Sequence, residues 1–121
     1  MSGSSNYTAR VVDGVHVIEL SRSDVLDTSY ITRTQQELVA YAAEKSGASM
    51  VVDLTNVQFL SSTALGLLLA LHQAVSGAGG TLGVAGAEDE VRRAFKLVKL
   101  HKVVGVHGTV REAVDAALKA R

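Results

Sequence analysis

The chain contains no cysteine, no proline and no tryptophan. Without cysteine it forms no disulfide and offers no thiolate to a metal. Its aromatic content is low, three Tyr and two Phe, so Val, Leu, Ile and Ala must fill the interior. There is no excess charge of either sign, because 12 basic side chains balance 12 acidic ones. Nucleic-acid binders draw affinity from a basic excess that neutralises phosphates, and a nucleic-acid partner is not expected here. Overall charge gives no support to a membrane-surface or polyanion role either. The four histidines, His16, His72, His101 and His107, never pair at helix-face spacing, so no metal site is expected. No apolar run approaches the length of a membrane span, and the opening Met-Ser-Gly-Ser-Ser-Asn lacks the charged and apolar regions of a signal peptide. The expectation is a protein of the cytoplasm with no direct membrane insertion.

What is present reads as one α/β domain. A length of 121 residues suits one core, and a hydrophobic content of 47% supports a globular chain. Residues 1–6 are small and polar and are expected to form a disordered tail. Tyr7–Val12 and Val15–Leu20 are β-rich runs separated by Asp13-Gly14, a pair that tolerates the positive φ angles of a two-residue hairpin. Asp27 is placed to cap a helix starting near Thr28, with Ile31, Leu38, Tyr41 and Ala42 at helical spacing and Gly47 as its stop. Met50–Leu54 is a continuous apolar run broken only by Asp53, as in a strand covered on both faces.

A second helix is expected from Ser62 to Ser76 and a short strand at Leu82–Ala85. Glu88-Asp89-Glu90 opens a third helix, which Lys96 and Lys99 close with charge that complements its dipole. Val91, Ala94, Phe95 and Val98 form its apolar stripe. Val103–His107 reads as the last strand. Thr109 and Glu112 have the spacing of a capping box for a terminal helix reaching Ala120. The order β-β-α-β-α-β-α-β-α implies a mixed, mostly parallel sheet with right-handed crossovers and an N-terminal antiparallel hairpin, spanning residues 7–120.

Phe59–Gly66, Phe-Leu-Ser-Ser-Thr-Ala-Leu-Gly, stands out. A buried strand ends at Asp53, Phe59-Leu60 return to the core, and three hydroxyl residues meet the start of a helix. Unpaired amides there favour a hydroxyl cap or an anion. The helix beyond carries Leu65, Leu67, Leu68, Leu69, Leu71 and Val75, more apolar positions than one covered stripe requires. Either it is buried centrally, or a leucine edge involving Leu67 or Leu71 stays open to a partner. Gly77-Ala78-Gly79-Gly80 follows a helix and precedes a strand, the reverse of a dinucleotide loop. No Gly-x-Ser-x-Gly elbow exists, and no acid–base pair has the order or spacing of a catalytic centre, so an enzyme is not expected.

The segment Val51-Val52-Asp53-Leu54 through Phe59-Leu60-Ser61-Ser62-Thr63-Ala64-Leu65-Gly66 resembles the signature of the STAS family, the sulfate-transporter and anti-sigma-factor-antagonist domains. Val25-Leu26-Asp27 resembles the family's segment before its first helix, and Gly79–Leu82 and Val91–Phe95 match further downstream. Among anti-sigma-factor antagonists the resemblance implies phosphorylation at Ser62 by a partner anti-sigma factor with serine kinase activity. The unmodified antagonist holds that partner and the phosphorylated form releases it. ATP and magnesium then belong to the partner, and this chain needs no cofactor of its own. Asp27, Asp53, Ser61, Thr63, Ala64, Leu65, Gly66 and Leu67 are the implied partner-binding residues around Ser62. Two positions depart from the family pattern: Ser61 stands where Asp is frequent, and Ala64 stands where Gly follows the hydroxyl cluster. The alternatives are a STAS subunit of an ABC-type lipid transport complex and a scaffold subunit of a stress-sensing assembly. The expected oligomeric state is a monomer or weak dimer.

Overall fold

In the computed structural model, which describes residues 7–20, 28–45, 47–57 and 62–119, strand and helix segments alternate after an opening hairpin. The strands are β1 (Tyr7–Val12), β2 (Val15–Leu20), β3 (Ser49–Asp53), β4 (Thr81–Ala85) and β5 (Gly105–His107). The helices are α1 (Thr28–Glu44), α2 (Ser62–Gly77), α3 (Asp89–Leu97) and α4 (Val110–Lys119), with a 3-10 turn at Leu100–Lys102. The expected tail at residues 1–6 and the end of α4 at Ala120 lie outside the described residues.

The sheet order is β1-β2-β3-β4-β5, with β1 antiparallel to β2 and every later pair parallel. Asp13 (φ 53°) and Gly14 (φ 84°) both take positive φ, so Val12 faces Val15 across a two-residue turn. That is the geometry matching the twist of an antiparallel pair. Because the parallel strands follow one another in sequence order, each right-handed crossover advances the same way and lays its helix on the same face. Ile31, Leu38 and Ala42 of α1, Leu67, Leu68, Leu71 and Val75 of α2, and Val91 and Phe95 of α3 accordingly share one core with Ile18, Met50, Val52, Leu82 and Val84. The opposite face carries Val15, Val17, Val51 and Ala85, covered by Ala113 and Val114 of α4. Every residue of β3 is buried, as expected for a strand covered on both faces.

The end of α3 and the start of β5 differ from the expectation, and one residue explains both. Lys99 adopts a left-handed conformation (φ 59°), so α3 ends at Leu97 and the chain turns into the 3-10 segment. Val98, expected in the buried stripe, is 55% exposed, and Leu100 and Val104 enter the core in its place. Val103 is exposed as well, and β5 keeps only Gly105–His107. The capping box at α4 forms by a variant route: the Glu112 amide donates to Thr109 Oγ1 at 3.1 Å, while that hydroxyl donates to Glu112 Oε1 at 3.2 Å.

Candidate functional site

The parallel strands β2, β3 and β4 deliver Glu19, Asp53 and Ala85 to one edge of the sheet, and α2 starts beside it. In open α/β sheets the carboxyl ends of the strands form the edge where ligands and partners usually bind. The loop leaving β3 is held tightly. Asp53 Oδ1 accepts from the Thr55 amide at 3.0 Å and from its hydroxyl at 2.5 Å. The Leu54 amide donates to the Ala85 carbonyl, and the Val57 amide to the Leu54 carbonyl. Gly86 (φ 74°) lies so close that a β-carbon there would collide with Thr55 Oγ1. Asn56 extends the loop to β2, donating to Glu19 Oε2 at 2.8 Å, and Glu19 also faces Arg10 at 3.7 Å.

Asp53 is therefore only 7% exposed and committed to its own loop. It anchors the turn. Asp27, Ser61, Phe59 and Leu60 lie outside the described residues. Ser62 and Thr63 open α2 and are exposed, while Ala64 and Leu65 are half-buried against the core. In the first turn of a helix the backbone amides have no intrahelical acceptors. The two hydroxyls thus stand at the positive end of the α2 dipole.

Burial along α2 resolves the two readings of its many leucines. Leu67, Leu68, Leu71 and Val75 are buried. Leu69 is 43% exposed, so the open leucine is Leu69, and the expectation for Leu67 or Leu71 is corrected. Ser62, Gly66, Leu69 and Gln73 are all exposed and recur at helical spacing, which aligns them along one outward stripe. At Gly66 an added β-carbon would meet nothing within 4 Å. Among the described residues no internal contact demands glycine there. The stripe offers hydroxyl, bare backbone, leucine and amide in succession. The signal that would have found Leu69 is the phase of the helix: it falls opposite Leu67 and Leu71 once Leu68 and Val75 are placed inward.

Among the described residues no group of three His, Cys, Asp or Glu is arranged to hold a metal ion. No helix among them is long and apolar enough to cross a membrane.

The family model of the STAS domain matches residues 6–113. Comparison with curated proteins yields no match. Among solved structures, the fold is similar to the Thermotoga maritima protein TM1081, with a TM-score of 0.81 and 19% identity over 92% of this chain and 93% of that one. An anti-sigma factor antagonist from Mycobacterium paratuberculosis is 28% identical, with a TM-score of 0.75 over 97% and 98% of the two chains. The phosphorylated form of the Bacillus cell fate determinant SpoIIAA is 17% identical, with a TM-score of 0.67 over 95% and 99%.

Proposed function

Because the chain belongs to the STAS domain family, we propose that it is a non-enzymatic regulator of the anti-sigma-factor-antagonist type. It captures an anti-sigma factor with serine kinase activity on the Ser62–Gly66–Leu69–Gln73 stripe and releases it when Ser62 is phosphorylated. The observation carrying this reading is the exposed stripe itself, with an accessible serine at the helix start and an exposed leucine two turns on. The likeness to the Mycobacterium antagonist and to a phosphorylated relative supports the same direction.

The physics of such a switch follows from position. A phosphate adds about −1.5 to −2 charges at neutral pH. At a helix N-terminus that charge is stabilised by roughly 0.3–1 kcal/mol, so the domain tolerates it. Pressed against a desolvated partner surface, the same charge loses its hydration and opposes binding. One modification then leaves the fold intact and opens the interface. Leu69 supplies apolar area to the complex, and Gly66 lets a partner approach the helix backbone.

The test is phosphorylation and capture with the cognate kinase. Incubation with kinase and ATP is expected to add one phosphate, located at Ser62 by mass spectrometry. Ser62→Asp weakens capture by at least tenfold, Ser62→Ala captures but cannot be released by ATP, and Leu69→Lys weakens capture without lowering Tm. Phosphate on no residue of Ser62–Thr63, together with capture indifferent to Leu69→Lys, would overturn the reading.

A further inference from the structure

On the same side of the sheet as α2, but built from α3, the 3-10 turn and β5, lies a pocket of about 330 Å³ lined by Arg92, Lys96, His101 and Val106. Arg92 and Lys96 are one turn apart on α3 and so share a face. His101 comes from the turn that Lys99 creates by leaving the helix, and Val106 from the edge strand. Three cationic or proton-donating side chains, two from α3 and one from the 3-10 turn, thus border one cavity. Among the described residues none of the three makes an ion pair. Among the described residues the buried Nε of Arg92 has no hydrogen-bond partner. Glu112, the carboxylate on the far side of Gly108, accepts instead from the Thr109 hydroxyl.

A buried guanidinium donor without an acceptor is unusual, because buried polar groups are nearly always paired. Here the Nε is unpaired, and the side chain lines, together with a lysine, a cavity with room for roughly ten waters. The ligand that answers such a set has several strong acceptor oxygens and more than one negative charge. Arginine meets two such oxygens with its planar fork and lysine adds a point charge. The surface beside the pocket is also distinctive. Residues 96–103 carry Lys96, Lys99 and Lys102 and no acid, and Leu97 in the same segment is 80% exposed with Val98 and Val103 exposed beside it.

We propose that the Arg92–Lys96–His101 pocket binds a phosphate group, carried by an anionic lipid headgroup or by a small soluble phosphate compound. The site is separate from the α2 stripe and does not depend on the reading given to it. In a lipid complex the phosphate occupies the pocket while Leu97 enters the headgroup layer; in a soluble complex the pocket alone acts.

The test is an amide-resolved NMR titration of the full chain with inorganic phosphate at low ionic strength, paired with co-sedimentation on phosphatidylcholine vesicles with and without phosphatidic acid. Saturable shifts confined to residues around 92–106, or sedimentation that requires phosphatidic acid, support the site. Arg92→Gln and Lys96→Gln each weaken binding by about tenfold. Arg93→Gln, on the exposed side of α3, leaves it unchanged. Leu97→Ser reduces vesicle binding alone if lipid is the source, whereas phosphate binding without vesicle binding identifies a soluble ligand. Folding of each variant is read from the same spectra. The proposal is overturned by absence of binding to both probes, or by Arg93→Gln weakening binding as much as Lys96→Gln, which marks diffuse charge attraction.

Discussion

Tyr7 and Tyr41 show how single side chains tie the fold to pH. Burial raises the pKa of the Tyr7 hydroxyl above its ordinary value near 10.0, and the carboxylates of Glu37 and Glu44 on α1 add to the effect. Burial raises that of Tyr41, whose hydroxyl lies 2.8 Å from His16 Nδ1. In both cases the folded state holds the proton more tightly than the unfolded chain. The stability so contributed is fully present below about pH 10 and is lost as pH rises through the folded value. Thermal melts from pH 8 to 11 are expected to fall off above about pH 10. Tyr7→Phe reduces that fall, and an unchanged alkaline profile in the variant would remove Tyr7 as its source. Residue roles of this kind were only partly legible. Asp53 is recognisable as the last residue of an apolar strand, but its commitment to Thr55 depends on how the loop turns.

At the scale of elements, α2 has a built-in compromise. Gly66 costs a helix interior up to about 1 kcal/mol relative to alanine, and no neighbour occupies the space a β-carbon would fill. Gly66→Ala is therefore expected to raise stability by roughly 0.5–1 kcal/mol in urea unfolding. If the stripe is a docking surface, the same change weakens partner capture. A variant that is more stable and captures equally well would leave Gly66 without a role in the interface. The strands and most of α1 and α2 follow from periodicity and turn chemistry, since Asp13-Gly14 and the apolar β3 run act locally. The end of α3 does not. Val98 reads as part of the buried stripe and Val103 as the start of a strand, yet the left-handed turn at Lys99 sends both outward and draws Leu100 and Val104 in.

The whole molecule rests on one large core on the α1–α2–α3 face and a smaller one under α4. With few aromatics, Phe95 is the largest fully buried side chain among the described residues, 1% exposed, and it packs into the larger core. Phe95→Ala is expected to cost about 3–5 kcal/mol. Against a total stability of roughly 5–15 kcal/mol, that is enough to populate unfolded chains near body temperature. Denaturant titration of wild type and variant measures it directly, and a loss under about 1 kcal/mol would show that the site can collapse around the cavity.

The sequence by itself determined the class of the fold, the hairpin, the buried central strand and the place where a helix begins with hydroxyls, because each of these depends on neighbours along the chain. Turn residues, apolar period and helix caps act over a few positions and are written in order. Only the tertiary structure decided which leucine of α2 faces outward, that Asp53 is spent on its own loop, and that Arg92 and His101 border one pocket. Those outcomes depend on which face of each element the sheet covers and on chain segments distant in sequence, which local pattern cannot specify.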